Sequence, residues 1–558
     1  MQLKGAGLLA LLLAVAAWPA SARGAEPRGA EAPEIPSFRP PAEEVGSALP
    51  ATSAGSLLGA RGYFVREVRV LGSGVVGASV LAERIAPYEG RWLSYDELLN
   101  LRDAITLAYV ERGYVTSGAL LDRLPSPDGV LEIHVVEGAL TRVQITGQRY
   151  FREQTLVGRL RENLEAPLNV LDLEDDLQVL QQDARIRRVE AELIPEGERG
   201  RARLLLNVEE RSPLRVEVGV GNDISPAVGD AQLALQLSHL NLTGHGDTLL
   251  TSIRQAEGLR DVRVAYRHPL PIRGLELGWT VRSIRSEIVE EPFDALDIES
   301  EATTYGVELE QTLHQTARTR VSASVAFERR RSRSFLLGRG FPFAEGVDAD
   351  GTARLSVLEA GQAWTYRDRR QVAALRSSLR MGIDAFDATI QDGRGPDGRF
   401  LVWRVQAQWA RRLPVAEATL DVRAEAQLAN DPLLGVEQLS LGGPGSVRGY
   451  RESARVGDSG WLGSVELAAP VPIPGAPASP RGRGLQVRAF ADVGRVHNEQ
   501  RATPSVRTLS SVGVGLRYEA ALGLAADLSF AVPLRDLDVG AEDRLQDRGV
   551  RFRLTWAY

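Results

Sequence analysis

Val550-Arg551-Phe552-Arg553-Leu554-Thr555-Trp556-Ala557-Tyr558 alternates large apolar side chains with arginine, threonine and alanine, one for one. Side chains two apart share a face of a β-strand, so this segment offers one face to an apolar surrounding and the other to water. The same division recurs upstream, where Leu401, Trp403, Val405 and Trp409 oppose Arg404, Gln406 and Gln408. From Pro213 onward sixteen such strands can be laid out, from 213–222 to 548–558, with 371–386 and 485–495 among them. Arginines at so many water-facing positions do not suit the inner face of a soluble sandwich; they suit an aqueous lumen. The connections agree. Those after even-numbered strands are short, as at 241–246, 269–273, 314–318 and 413–416, whereas 334–350, 432–460 and 532–547 follow odd-numbered ones. Short turns on one side and long loops on the other mark a closed, antiparallel outer-membrane barrel. An even strand count also returns both ends of the barrel to one side. The Pro-rich stretch 471–484 is an unexplained exception, a long turn on the short-turn side.

The start of the chain fixes the compartment. Lys4 precedes an apolar run from Leu8 to Ala17, then Ala20-Ser21-Ala22. A run of about ten residues is half of what spans a bilayer, and the small residues suit a signal peptidase, so residues 1–22 read as a removed signal peptide. Pro27, Pro33, Pro36, Pro40, Pro41 and Pro50 then mark 23–60 as a linker. Cysteine is absent, which excludes a disulfide framework and thiolate chemistry. The net charge of −7 argues against nucleic acid as a partner. Lys4 is the only lysine among 66 basic residues, which we read as codon bias. Mean hydropathy is −0.15, and no segment after the signal has 18 consecutive apolar residues, which excludes helical membrane spans but not alternating strands.

Between linker and barrel, two units of about 70 residues each fit β-α-α-β-β, at 61–138 and 139–211. In the first, Phe64–Leu71 reads as a strand, and Ser94 with Glu97 forms a capping box. Leu98, Leu101, Ile105, Ala108 and Tyr109 then make one apolar helix face that stops at Gly113. Strands at 114–121 and 130–136 follow. In the second, a strand at 141–146, helices at 151–160 and 170–186, and strands at 189–194 and 202–208 repeat the plan.

The chemistry of the barrel concentrates in one loop. Leu441-Gly442-Gly443-Pro444-Gly445-Ser446-Val447-Arg448-Gly449-Tyr450 precedes the twelfth strand, and Phe490-Ala491-Asp492-Val493-Gly494 lies on the thirteenth. On 485–495, Leu485, Val487, Ala489 and Val493 form the apolar face, so Asp492 points into the lumen with Gln486 and Arg488. An inward-folded loop could bring Arg448 to it. Gly442, Gly443, Gly445 and Gly449 would permit the tight, positive-φ turns that this requires.

These two motifs match those of outer-membrane assembly and secretion barrels. Arg112-Gly113-Tyr114-Val115-Thr116-Ser117 and Gly129–Gly138 resemble the polypeptide-transport-associated (POTRA) domains of two-partner secretion transporters. Arg215–Asp223 and Leu237–Asp247 resemble the first hairpins of those barrels. The resemblance covers roughly 62–558. It implies two POTRA-like domains, with residues 23–211 in the periplasm, and a sixteen-stranded barrel at 212–558 in the outer membrane. It implies a lumen-loop motif of Val447, Arg448, Gly449 and Tyr450, a barrel-wall partner motif of Phe490, Asp492 and Gly494, and a C-terminal strand signal of Phe552, Trp556 and Tyr558. Its partners would be one large unfolded exoprotein, outer-membrane lipid, and the barrel assembly machinery for its own insertion. Members often carry a plug helix ahead of the first small domain; the prolines between 27 and 50 argue against one here.

No enzyme motif survives. Gly393-Arg394-Gly395-Pro396-Asp397-Gly398 fits a dinucleotide string, but Pro396 and a following strand replace the required helix. Among six histidines only His239 and His245 come near a metal-ligand spacing, and they fall at a strand end and a turn, so neither a metal nor a cofactor is expected. The function expected is export of an exoprotein by two-partner secretion. The alternatives are a factor that inserts other barrels, and a passive porin.

Overall fold

The computed structural model describes residues 62–160, 167–391, 393, 395–472, 484–500, 506–520, 523–537 and 544–558, with the backbone of 37–39. The expected signal peptide, the rest of the linker, and most of the Pro-rich turn lie outside these. The chain divides into two compact units, Pro33–Ser212 and one that holds Pro213–Tyr558.

The first unit opens with a three-residue strand, β1 (Ser37–Arg39), within the stretch expected to be linker. Its first domain then contains β2 (Tyr63–Val65), β3 (Glu67–Leu71), α1 (Ala78–Ile85), β4 (Arg91–Leu93), α2 (Tyr95–Val110), β5 (Gly118–Leu120) and β6 (Val130–Val136). The single strand expected over Phe64–Leu71 is two. Val65 points into the core while β2 pairs with β4; the chain turns at Arg66, and β3 pairs with β6 in a separate sheet ordered β3-β6-β5. The strand expected at 114–121 shrinks to β5, because Ser117 N bonds Tyr114 O at 3.0 Å and makes 114–117 a turn. The capping box forms: Glu97 N donates to Ser94 Oγ at 3.2 Å and Ser94 N to Glu97 Oε2 at 2.7 Å. The apolar face read from the sequence, Leu98 through Tyr109, is fully buried.

The second domain follows as β7 (Ala139–Thr146), α3 (Glu153–Leu160), α4 (Val170–Gln181), β8 (Ile186–Pro195) and β9 (Arg201–Glu210). The helix ends five residues before the expected 186, and Ile186 already belongs to β8. Its sheet runs β1-β8-β9-β7, with β1 parallel to β8 in the register Ser37↔Glu190 to Arg39↔Glu192. The two domains are clipped together. Asn169 caps α4, accepting from Leu171 N, while its Nδ2 donates to Arg112 O, and Val170 N donates to Gly113 O at 2.8 Å. Gly113 has φ +89°, and a Cβ there would lie 2.3 Å from Asn169 Oδ1. Beneath α3 and α4, Asp183 bonds both Arg159 and Arg185, whose guanidinium groups lie over the Phe151 ring.

The second unit is a closed antiparallel barrel. The wall begins with β10 (Leu214–Gly221), β11 (Gln232–His239), β12 (Thr248–Ala256), β13 (Leu259–Pro269), β14 (Leu275–Glu287), β15 (Ile298–Gln315) and β16 (Thr319–Leu336). A two-residue strand, β17 (Arg339–Gly340), folds back on β16. The wall resumes with β18 (Thr352–Arg367), β19 (Gln371–Gly382), β20 (Phe400–Arg412) and β21 (Thr419–Ala429). A small hairpin, β22 (Leu439–Leu441) with β23 (Arg455–Gly457), stands apart from it. Then β24 (Ser459–Val471), β25 (Gly484–His497), β26 (Thr508–Glu519), β27 (Leu524–Pro533) and β28 (Val550–Ala557) complete sixteen wall strands, as expected. β28 pairs with β10 from Glu217↔Ala557 to Gly221↔Arg553, so no edge remains to meet lipid. The strand expected over 371–386 stops at Gly382. Beyond it Ile383 N and Thr389 N bond Ser356 O and Arg354 O, using ladder groups that β19 leaves free at the outer end of β18. The expected alternation is realised on β28, where Leu554, Trp556 and Tyr558 are exposed and Arg551 is buried.

Candidate functional site: a loop seated in the lumen

The connection from β21 to β24 turns back along the lumen-facing side of the wall. Its hairpin registers Leu439↔Gly457 and Leu441↔Arg455, and its tip carries the glycine-rich motif. Gly442, Gly443 and Gly449 adopt positive φ of 106°, 87° and 87°, whereas Gly445 does not. Leu441, Val447 and Tyr450 leave water to pack with Leu462, Val496 and Leu509.

Arg448 and Asp492 meet. Asp492 Oδ2 accepts from Arg448 Nε at 2.7 Å and from Arg448 N at 3.0 Å, and Oδ1 accepts from Nη2 at 2.8 Å. Such a fork is the strongest form of charge-assisted hydrogen bond. Ser464 Oγ donates to Asp492 Oδ1 at 2.7 Å, and Glu466 takes the remaining Arg448 nitrogen. The Asp492 side chain is 0% exposed and that of Arg448 16%. The guanidinium carbon stands 3.4 Å from the centroid of the Phe490 ring. The wall motif thus has a physical reason at each place. Asp492 supplies the charge and Phe490 a ring for the cation. Gly494 leaves room for the loop: a Cβ there would meet Leu441 Cδ2 at 2.7 Å. Gly513, opposite Phe490 on β26, lets that ring lie flat, since a Cβ would come within 2.3 Å of its Cζ. Tyr450 reaches the far side, its hydroxyl 3.0 Å from Ser510 O and 2.9 Å from Arg535 O. Of the C-terminal residues, Phe552, Trp556 and Tyr558 lie on the outward face of β28, remote from this cluster.

Three further seats hold the same loop and were not read from the sequence. At its start Leu433 and Leu434 pack on Leu355, Val357, Phe400 and Val402. Glu437, 2% exposed, lies 2.9 Å from Arg330 and 3.3 Å from Arg380; Arg380 also pairs with Glu328 at 3.1 Å and with Glu359. Arg451 forks onto Asp547 at 2.6 and 2.8 Å and reaches Glu290 at 2.8 Å, tying the loop to two other long connections. Strand parity shows that Arg330 and Arg380 face the lumen, but the residue that neutralises them depends on the path of the loop. His239 and His245 are not gathered into a metal site; among the described residues no group of three potential ligands occurs.

Comparison with known proteins places this architecture. The family model described as haemolysin secretion/activation protein ShlB/FhaC/HecB matches residues 200–518, and the POTRA domain, ShlB-type, matches 63–138. Outer membrane transporter CdiB of Escherichia coli O6:K15:H31 (strain 536 / UPEC) is 26% identical over 436 residues, covering 75% of this chain and 71% of that one. Heme/hemopexin transporter protein HuxB of Haemophilus influenzae (strain 86-028NP) is 24% identical over 508 residues, covering 84% and 82%. The solved structure of CdiB from Escherichia coli superposes with a TM-score of 0.68 over 92% of this chain and 93% of that one, at 24% identity, which speaks to the fold.

Proposed function

Because the chain belongs to the haemolysin secretion/activation (ShlB/FhaC/HecB) family of two-partner secretion transporters, we propose that it exports one large exoprotein in unfolded form through its lumen. It is an outer-membrane transporter whose POTRA domain lies in the periplasm. The observation that carries the reading is the seated loop: a dry Arg448–Asp492 fork holds a long connection against the lumen-facing side of the wall. A passage that must open for a chain and close again needs such a segment. A permanently open porin does not.

Capture is assigned to the two POTRA-like domains, 61–138 and 139–211. The edge of β8 already accepts an extended strand, β1, in parallel pairing. A client segment that takes this place would gain main-chain hydrogen bonds while its alternate side chains set specificity. No nucleotide site is invoked, so folding of the client outside would draw it outward. Insertion of the barrel itself is assigned to the cellular barrel assembly machinery acting on the outward face of β28, with Phe552, Trp556 and Tyr558.

Deletion of the gene tests the reading against the alternative that the chain assembles other barrels. The expected result is loss of a single large protein from the medium or cell surface, with the outer-membrane profile unchanged. A general fall in outer-membrane proteins would instead favour an assembly factor.

A further inference from the structure

The register of the wall lets its outward face be read in rows across β14, β15, β16 and β18. Trp279, Val307, Phe327 and Leu358 form one row, wholly apolar. The next row toward the outer end is Val281, Tyr305, Arg329 and Ser356. The next is Ser283, Thr303, Arg331 and Arg354, followed by Arg285, Glu301, Arg333 and Thr352. Residues of opposite parity, such as Glu328 and Arg330, bond to groups inside the lumen, so these rows lie on the outer side of the wall, with Ser356 and Thr352 buried there and Arg331 exposed. The apolar band therefore gives way, within one strand step of Tyr305, to arginine. This happens at the end with the long loops, opposite the end where the chain enters from the periplasm.

Arg331 and Arg354 are directly opposed, an arrangement that destabilises a sheet unless something compensates it. Each carboxylate nearby is already engaged, two of them by arginines of this cluster, and none by Arg331. Asp348 takes Arg354 at 3.1 Å, Asp350 takes Arg333 at 3.6 Å, and Glu301 takes Arg285. The Arg329 side chain bonds only the neutral oxygens of Ser356 and Ala385, Nε of Arg333 is buried without an acceptor, and the Arg331 side chain is exposed with neither ion pair nor hydrogen bond among the described residues.

We propose that Arg331 and Arg354, flanked by Arg329 and Arg333, bind a phosphate of a phosphorylated glycolipid in the outer leaflet of the membrane. The position sets the partner. A cation cluster on the lipid-facing side, one row beyond hydrocarbon, meets headgroup phosphates, and the planar fork of arginine matches their oxygens. The site lies on the outside of the wall and is independent of the client path.

The test uses the full chain in detergent micelles, with bisphosphorylated lipid A as the probe and bound lipid counted by native mass spectrometry. The double variant Arg331→Gln/Arg354→Gln is expected to bind on the order of tenfold more weakly or worse, while Arg318→Gln on a periplasmic turn changes nothing. The unaltered chain should show the same loss with lipid A stripped of its phosphates, a comparison that holds even if the double variant folds poorly. Millimolar inorganic phosphate should not compete. Equal binding of stripped and phosphorylated lipid, or an unaffected double variant that retains heat-modifiable migration, would overturn the assignment. Full competition by inorganic phosphate would overturn the lipid as its source.

Discussion

Removing one member of the Arg448–Asp492 pair should release the loop, and the two removals should differ. In Arg448→Ala, Asp492 and Glu466 lose their shared cation, and Asp492 keeps only Ser464 Oγ and the backbone N–H of residue 448. Arg488, 3.4 Å from Glu466, compensates that carboxylate alone. In Asp492→Ala, Arg448 still holds Glu466 and the Phe490 ring. Breaking a buried pair costs about 3–5 kcal/mol, so Arg448→Ala should sit near that range. The residual Glu466 partner should hold Asp492→Ala to roughly half of it. At about 1.4 kcal/mol per tenfold, Arg448→Ala shifts the balance toward the released loop by about two to three and a half orders of magnitude. The chain has no cysteine, so Val447→Cys, wholly buried while the loop is seated, is a unique reporter. Maleimide labelling from outside gives the open fraction for each variant and for the double, and so the coupling energy. Export of the client should fall in parallel. Labelling rates that rise little and additively would mean that the fork is wet and does not hold the loop, and the argument would fail.

Glu437→Ala should leave Arg330 and Arg380 facing the lumen without their loop partner; the same reporter should label faster, and pore conductance in planar bilayers should rise. Gly494→Val should unseat Leu441 without touching any charge, so faster labelling with an unchanged wall, judged by unheated gel migration, is expected. Burial would push the Asp183 carboxyl up, but the hydrogen bond from Arg185 and the charges of Arg159 and Arg185 outweigh it and hold it well below the usual carboxylate range. A depressed carboxylate stabilises the fold above its unfolded value of about 3.9 and ceases to do so as pH falls through the folded value. Hydrogen exchange in α4 and β8 should therefore accelerate below about pH 4, and Asp183→Asn should flatten that dependence at the cost of stability at pH 7.

Much of this was legible because period-two alternation and charge parity are local. Asp492 could be placed in the lumen from Leu485, Val487, Ala489 and Val493 alone, and the α2 core from its 3-and-4 spacing. What escaped depends on partners distant in the chain. Phe64–Leu71 alternates smoothly, yet Val65 serves one sheet and Val68 another. Arg451 looks like an ordinary loop arginine until Glu290 and Asp547 arrive from loops 161 and 96 residues away. The strand read through residue 386 stops at Gly382 because the chain beyond it is held by the leftover ladder groups of β18, which no local pattern reveals.

The four seats of the loop fall in sequence along it: Leu433 with Leu434, then Glu437, Arg448 and Arg451. Their sum sets how firmly the passage rests shut, but an entering chain need not overcome the sum. Like a zip pulled from one end, the loop can part from the wall one seat at a time, and the slowest step then measures the strongest single seat. A closed state of high stability is in this way compatible with rapid opening, and relocating two seats to the same point along the loop would slow transport without tightening the closure.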